Sequence, residues 1–359
     1  MPYARAPMTA AAATDAPGAA GLRKVPCAAC GGDVVWHPGA DALRCPYCGT
    51  VRAVPTTSDE VKELPIEEGL RAPRDLGWGT ERRTVACPRC GARESMAPGQ
   101  RAATCAFCGT AAVVETPAKG DMIRPGGLLP FRVDKAGAAG SFRRWLSGLW
   151  FRPNDLYQRA ELTGLQGVYV PFWSFDAATH SAWEAEAGYR TDPRRRDSVR
   201  WEPASGFLEL FFDDVLVPGS KGLDPALAAG IEPFPTKNLV AYDPSFLSGF
   251  LAEETAVDLP AALKAAGARM AAQIRAACAR QVPGDTHRNL RIRTQYTNVG
   301  YKNALLPVWI AAYDYRGRPF RFLVNGVTGN VAGHAPLSWV KIGLAILALA
   351  FLLYLLNSA

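Results

Sequence analysis

The sequence lacks several features that would indicate a secreted protein or an enzyme of a common class. Residues 1–22 are mostly Ala, Pro, Gly and Thr without a continuous apolar run, so we expect a disordered tail and no signal peptide. There is no Gly-x-x-x-x-Gly-Lys-Ser/Thr phosphate loop, no His-Glu-x-x-His and no Gly-x-Ser-x-Gly. These absences exclude a P-loop motor and favour a protein that is not an enzyme, with no evident small-molecule substrate.

Histidine is also scarce. The chain has only four histidines, and they are scattered: His37, His180, His287 and His334. Asp213-Asp214 resembles a paired-carboxylate site, although a strand-end turn before Val215 explains the pair more simply. An enzyme that uses His180 or Asp213 is therefore the weakest of the functional alternatives.

Cysteine is present in a pattern typical of metal binding. Eight of the nine cysteines form four Cys-x-x-Cys pairs, and the pairs are arranged as two copies of one spacing. The first copy is Cys27, Cys30, Cys45 and Cys48, and the second is Cys87, Cys90, Cys105 and Cys108. Because the chain is long and shows no export signal, we expect reduced thiols that bind metal rather than disulfides.

Each copy has the ligand set of a zinc ribbon. Four thiolates from two turns suit tetrahedral Zn²⁺, and the glycine after each second cysteine permits the positive φ that such a turn needs. We therefore predict two Zn²⁺ ions in ribbon 1 (residues 23–54) and ribbon 2 (residues 82–117), with rubredoxin-like iron as the alternative. Four protein ligands leave no open position for catalysis, and His37 is interpreted as a loop residue.

The formal net charge of +7 needs a correction for the metal. A zinc ion with four thiolates carries about −2, so two sites reduce the charge to about +3. This weak positive charge gives little attraction to phosphate, and protein contact is favoured over nucleic-acid binding by the ribbons.

The remaining sequence predicts a linker and an α+β body. Residues 55–81 mix acidic residues with Pro and Gly, and we expect a linker there with one short helix. The body (residues 122–334) contains short β-prone runs: Gly127–Val133, Val168–Phe175, Phe207–Phe212, Leu305–Tyr315, and a hairpin of Arg321–Val324 and Val327–Val331 around Asn325-Gly326.

Two helices interrupt these strands. Asp258 is an N-cap for an amphipathic helix whose apolar stripe includes Met270, Ile274 and Cys278, so the ninth cysteine is predicted to be a core residue. A shorter helix is expected over Ser141–Leu149. The related motifs Pro171-Phe172-Trp173 and Pro307-Val308-Trp309 indicate two similar half-units.

Basic residues cluster in two places in the body. The first cluster mixes arginines with aromatic residues between Phe142 and Arg152. It suits contact with lipid headgroups or a partner, or the packing of a helix on the sheet. The second, Arg194–Arg196, is interpreted as a solvated loop.

The chain ends in an apolar segment, Leu337–Leu356, about 30 Å long as a helix. Its one charge is Lys341, close to the entry end, and Trp339 and Tyr354 suit the two interfaces. We predict a transmembrane helix, the alternative being a tail buried in the core or in an oligomer. The nearby Arg316, Arg318 and Arg321 place the body in the cytoplasm by the positive-inside rule.

Taken together, these segments resemble a bacterial family of membrane-anchored zinc-ribbon proteins. Its members are labelled transcription-factor-IIB-type zinc ribbon proteins, or primosomal protein N prime and helicase-like proteins. The resemblance covers most of residues 23–356. It is carried by Leu128–Phe131, Arg144–Leu146 with Trp150–Asn154, Gly167–Trp173, Gln295–Val299, Leu305–Trp309 and Phe322–Gly326.

The resemblance implies a membrane protein that helps recruit soluble partners in stress responses of the phage-shock type. The helicase label implies no ATPase here, because the motor motifs are missing. The sequence thus predicts a tail-anchored scaffold at the inner membrane that binds protein partners. The alternative is a membrane-bound, primosome-related protein whose ribbons bind nucleic acid without helicase activity.

Overall fold

The computed structural model describes residues 25–54, 61–71, 83–96, 105–108, 110, 114–117, 123, 125–156, 161–191, 198–316 and 318–358. The predicted tail over residues 1–22 and the cluster Arg194–Arg196 lie outside these ranges. The strands are β1 (Val25–Pro26), β2 (Asp33–His37), β3 (Ala42–Arg44), β4 (Val51–Arg52), β5 (Leu64–Pro65), β6 (Arg83–Ala86), β7 (Arg93–Met96), β8 (Val114–Pro117), β9 (Gly127–Leu128), β10 (Glu161–Arg190), β11 (Val199–Pro218), β12 (Val240–Ala241), β13 (Leu251–Glu253), β14 (Thr286–Tyr315), β15 (Arg318–Asn325) and β16 (Val331–Gly333). The helices are α1 (Ile66–Arg71), α2 (Lys135–Ser147), α3 (Pro225–Gly230), α4 (Leu259–Gln281) and α5 (Trp339–Ser358).

The described strands form two sheets, and the body is β-rich within an α+β fold, as predicted. Strands β1 to β4 make a small antiparallel sheet in ribbon 1. The other strands belong to one large sheet that is centred on the antiparallel pair β10 and β14. Ribbon 2 is continuous with this sheet because β7 pairs with β13, and the linker strand β5 pairs with β14.

The central strand β10 is much longer than its apolar run. Its residues are continuously buried from Gly167 to Ala177, and beyond that point buried and exposed residues alternate up to Ala185. Alternation is the signature of a sheet with one covered face. Helix α4 covers that face: Met270, Ile274 and Cys278 are buried against the long hairpin of β10 and β11. Cys278 is therefore a core residue, as predicted.

The helix predicted after Asp258 is confirmed. The Asp258 carboxylate accepts a hydrogen bond from the backbone N–H of Ala261 at 3.0 Å, and Pro260 lies in the first turn. Asp134 caps α2 in the same way, accepting from Gly137 N–H at 2.7 Å. The shorter helix therefore begins at Lys135, earlier than the predicted Ser141.

Most of the body is formed by two repeats of one element order, and their reciprocal contacts across the β10–β14 pair define an approximate two-fold axis. The first repeat is β9–α2–β10–β11 and the second is β13–α4–β14–β15. Pro171 lies opposite Leu305, and Pro307 lies opposite Tyr169, so the two related motifs are centred on one axis. The short strands are exchanged between repeats: β9 runs parallel to β14, and β13 runs parallel to β10.

Matching hydrogen bonds lock the repeats together crosswise. Trp173 Nε1 donates to the Val257 carbonyl at 2.9 Å, and Trp309 Nε1 donates to the Val133 carbonyl at 2.8 Å. Each acceptor immediately precedes the N-cap of the other repeat's helix. Each tryptophan therefore positions the helix of the repeat to which it does not belong.

Two glycines complete the same arrangement. Gly219 N–H donates to the Pro171 carbonyl and Gly326 N–H to the Pro307 carbonyl, both at 2.8 Å. The Gly219 carbonyl accepts from Val257 N–H at 3.0 Å. A Cβ at Gly326 would lie 2.8 Å from Pro307 Cβ, a contact that no larger residue can make without a shift.

The predicted two-residue turn at Asn325-Gly326 is wrong. A hairpin of β15 and β16 forms, but its loop extends to Asn330, whose carbonyl accepts from Asn325 N–H at 2.8 Å. The Asn325 side chain is fully buried and donates to the carbonyl of Ile231 at 2.9 Å. This long-range contact fixes Asn325 as a strand residue, and Gly329 supplies the positive φ of the loop.

Helix α5 leaves the body and is long and apolar enough to cross a membrane. The stretch Trp339–Asn357 has a mean hydropathy of 2.3, and none of its most apolar window is buried against the described part of the chain. Trp339 and Tyr354 are exposed near its two ends.

Removal of either crosswise hydrogen bond should destabilise the body. Trp173→Phe and Trp309→Phe each remove a partly buried hydrogen bond, which costs about 1 kcal/mol of unfolding free energy. Both indoles are at most 5% exposed. Urea denaturation of the full chain in detergent, followed by circular dichroism, measures the change.

The matched control is Trp150→Phe, because Trp150 is 79% exposed. Its effect should stay within about 0.5 kcal/mol. Equal effects of all three substitutions would contradict the crosswise arrangement.

Candidate metal centres

Each cysteine pair lies on a tight turn that aims its sulfurs to one side. In the first turn Cys27 N–H donates to the Gly32 carbonyl at 2.7 Å, and Gly31 N–H donates to the Cys27 carbonyl at 2.9 Å. The glycines Gly31, Gly49 and Gly91 have φ of 76°, 77° and 76°. The positive φ predicted after the second cysteine is thus confirmed at these three positions, whereas Gly109 lies outside the described residues.

The sulfurs of each tetrad are spaced for one tetrahedral ion. Within each tetrad all four ligand atoms lie within 4.8 Å of one another. The shorter contacts are 3.6 Å (Cys27 to Cys48), 3.5 Å (Cys30 to Cys45), 3.4 Å (Cys87 to Cys108) and 3.7 Å (Cys90 to Cys105). A tetrahedron with Zn–S bonds of about 2.3 Å has edges of about 3.8 Å, whereas a disulfide bond is about 2.05 Å long.

All nine cysteines are free thiols in the structure. Each tetrad could therefore hold one metal ion, and four thiolates are a donor set that zinc favours. Backbone hydrogen bonds favour the charged form of Cys27. The backbone amides of Ala29 and Cys30 bond to Cys27 and lower the pKa of its thiol. His37 is the last residue of β2 rather than a loop residue, and it belongs to neither tetrad.

Ribbon 1 is docked on the body by Trp36. Its indole N–H donates to the Phe131 carbonyl at 3.0 Å, and its backbone N–H donates to the Ser248 carbonyl at 3.0 Å. The ring packs on Phe246, with centroids 4.7 Å apart. Cys27 and Cys45 are part of the same hydrophobic cluster as these residues.

Three buried carboxylates without a local sequence signal lie at the junction of ribbon 2 and the body, and Glu254 bonds across it. Glu254 is fully buried and accepts from Thr84 Oγ1 at 2.6 Å and from Arg93 Nε at 3.3 Å. Glu94 accepts the N–H of Ala106, which lies between two metal-site cysteines, at 2.8 Å.

The third carboxylate, Glu253, is also fully buried and accepts from Ser220 Oγ at 2.8 Å. Burial raises the pKa of Glu253 to about 8, and the nearby Glu94 adds to the increase.

Both tetrads contribute to the body core rather than to separate modules. Cys27 and Cys45 belong to one hydrophobic cluster of the body, and Cys87 and Cys105 share another with Val168 and Leu306.

A third group of ligand atoms comprises Asp176, Asp213 and Asp214. Strand β11 does not end at Asp214, contrary to the expected turn. Asp214 instead has a φ of 56° next to a β-bulge after Phe175, and its N–H donates to Asp176 Oδ1 at 2.5 Å. Asp213 is exposed.

Lys302 supplies positive charge to this group. Its Nζ lies 2.9 Å from Glu63 Oε1 and 3.5 Å from Asp214 Oδ1. Burial raises the pKa of Asp176 to about 7, against the effect of the Asp214 N–H. Since Glu63 precedes β5, we interpret the group as an ion network that attaches the linker to the body. Its members are far apart in the chain, which left only the Asp213-Asp214 pair visible in the sequence.

His180 lies apart from this network, on the open face of the β10–β11–β14 sheet. It pairs with Glu209, with Nδ1 and Oε1 3.1 Å apart, and both side chains are more than half exposed. A shallow pocket of about 450 Å³ surrounds the pair. Asp213 is not among the residues that line it, so the structure does not bring the two suggested catalytic residues together.

The chain is similar to one curated protein. It is 26% identical over 225 residues to the uncharacterized protein YdjG of Bacillus subtilis (strain 168). The match covers 61% of this chain and 66% of that relative, just under two thirds of the relative's length. No protein-family model and no solved structure matches the chain. The resemblance to membrane-anchored zinc-ribbon proteins therefore stays a prediction.

Metal analysis should find two zinc ions per chain in protein purified under reducing conditions. Cys87→Ser combined with Cys90→Ser should reduce this to one, because one tetrad then lacks two ligands. Cys278→Ala is the matched control and should keep both ions, since Cys278 lies in neither tetrad. Elemental analysis by mass spectrometry gives the ratio.

The double serine variant should also be less stable, because Cys87 is 3% exposed and packs among body residues. Fewer than one metal per chain in the wild type, with the sulfurs oxidised in pairs, would contradict the assignment.

Proposed function

We propose that this protein is a membrane-tethered scaffold, not an enzyme, that recruits protein partners to the cytoplasmic face of the inner membrane. The observation that carries the proposal is helix α5, which is apolar from Ile342 to Leu356 and whose most apolar window is not buried against the described body. A helix of 20 residues spans about 30 Å, the thickness of a hydrocarbon core. In water such a surface would be costly, so it requires a lipid environment or an apolar partner.

The charge around α5 supports the cytoplasmic orientation. Arg316, Arg318, Arg321 and Lys341 precede or begin the helix. Positive residues remain on the cytoplasmic side of a single span. Reduced thiols fit the same compartment.

The metal centres support a structural rather than a catalytic role. Each tetrad offers four protein ligands, which leaves no coordination position for a substrate. The metal centres stabilise the packing of the ribbons on the sheet, so the scaffold has a rigid shape.

The open face of the β10–β11–β14 sheet is the surface that we assign to a protein partner. Phe207 and Phe211 are 83% and 72% exposed and lie on one face of β11, opposite the face covered by α4. Glu209 lies between them and Arg293 borders the same pocket. Exposed aromatic rings with interspersed charges are typical of non-obligate protein interfaces.

Nucleic-acid binding by the ribbons is the alternative function. The position of Arg93 weakens it: this side chain is 17% exposed and bonds to the buried Glu254, so it is withdrawn from any phosphate. A salt titration with single-stranded and duplex DNA tests the alternative, since phosphate contacts weaken steeply as salt rises. Absence of binding at low salt would remove it.

A charge in the middle of α5 should release the protein from membranes. Leu349→Arg costs about 2.5–3.5 kcal/mol of insertion free energy at the centre of a span, whereas Leu349→Phe is the neutral control. Fractionation after carbonate washing should find the Arg variant in the soluble or aggregated fraction and the Phe variant in the membrane. A wild-type protein that carbonate extracts would contradict the anchor.

A photo-reactive residue on the open sheet face should capture a partner in cells. Phe207→benzoylphenylalanine should give a discrete cross-linked protein, and Phe211→Asp in the same chain should abolish it. The matched control is the same probe at Gln273, on the exposed side of α4. Identical products at both positions would argue against this surface, and nucleic-acid adducts would favour the alternative function.

A further inference from the structure

We propose that the loop after α2, with Trp150 and Phe151 at its tip, is a second membrane-binding element that seats the body on anionic phospholipid headgroups. The inference rests on the proposed anchoring by α5 and deepens it. The inference concerns the orientation of the body relative to the membrane surface, which a single transmembrane helix does not determine.

The loop is fixed to the base of α5. Ser338 N–H donates to the Phe151 carbonyl at 2.8 Å, and Lys341 Nζ donates to the Trp150 carbonyl at 3.0 Å. Arg152 donates to the carbonyl of Ala335, just before the helix. The loop therefore stays level with the first turn of the span, at the depth where a bilayer interface would lie.

The side chains of this region are apolar and exposed. Trp150 is 79% exposed and Phe151 is 45% exposed, and next to them Leu337 and Trp339 are 49% and 76% exposed. Tryptophan favours the headgroup region, where its ring is in an apolar layer and its N–H remains hydrated. Two exposed aromatic residues beside the entry point of a span thus match an interfacial position.

The adjacent charge suits an anionic surface. Arg143 and Arg144 are exposed on α2, and Arg152 and Lys341 belong to the loop and helix base. The nearby acidic residue Asp155 is already paired, since it accepts from Tyr315 Oη at 2.7 Å and from Arg316 at 3.1 Å. Each basic residue close to anionic lipid contributes about 1 kcal/mol.

The comparison of the two repeats points to the same loop. In the second repeat α4 ends at Gln281 and β14 begins at Thr286, a short connection. In the first repeat α2 ends at Ser147 and β10 begins only at Glu161. The longer connection, which carries the exposed aromatics, belongs to the repeat whose loop bonds to the base of α5.

Fluorescence quenching by brominated lipids tests the proposal on the full chain in vesicles. The difference between wild type and Trp150→Phe reports Trp150, and the difference between wild type and Trp339→Phe reports the helix base. With bromine near the top of the acyl chains, in vesicles of phosphatidylcholine mixed with phosphatidylglycerol, both signals should lose most of their intensity.

Quenching of Trp150 tests the loop proposal, and quenching of Trp339 tests the anchoring by α5. Quenching of Trp339 without quenching of Trp150 would overturn the loop proposal and leave the anchor intact. Absence of quenching at Trp339 would overturn the anchor and the loop proposal with it.

A charge variant tests the preference for anionic lipid. Arg143→Gln with Arg144→Gln should shift the equilibrium between seated and detached loop by roughly tenfold or more, seen as recovery of the Trp150 signal. The matched control is Arg275→Gln with Arg280→Gln, both exposed on α4, the equivalent helix of the other repeat. Equal Trp150 quenching in pure phosphatidylcholine, unchanged by the Arg143 and Arg144 substitutions, would overturn the anionic preference.

Discussion

The antiparallel pairing of β10 with β14 is the interaction on which the rest of the structure depends. The pair runs from Glu161 opposite Asp314 to Gly188 opposite Thr286, with three bulges. The other strands of the large sheet are added to this pair, α4 covers one end of it, and the two ribbons flank its middle. Because the crosswise bonds of Trp173 and Trp309 lie at the centre of the pair, the geometry of both repeats is set there.

The ribbons pack against the large sheet and are not separate appendages of the body. Trp36 of ribbon 1 bonds to Phe131 of the body, and Thr84 and Arg93 of ribbon 2 bond to Glu254 of the body. The first cysteine of each turn faces the body core, while the second is more exposed. A metal ion held by either tetrad would therefore stabilise the body core as well as the ribbon.

The sequence predicts the features that depend on local spacing. The cysteine tetrads, the glycines after them, the Asp258 cap and the apolar α5 all follow from residues that are close in the chain. The lengths of β10 and β14 do not, because their outer halves have no continuous apolar run. The outer half of β10 alternates small and polar residues, and that of β14 has Leu290 and Ile292 isolated among polar residues. The loop after Asn325 and the buried Glu253 and Glu254 likewise depend on partners far away in sequence, so their positions have no local signal.

The crosswise hydrogen bonds also constrain the order in which the two repeats can fold during translation. Trp309 and its acceptor Val133 are separated by 176 residues, so the first repeat cannot close until the second has left the ribosome. At ordinary rates of translation this delay is roughly ten to thirty seconds. During that time the long strands of the first repeat have exposed edges, which are templates for wrong pairing. Synthesis of this chain should consequently depend on chaperones that shield β-edges in the nascent polypeptide.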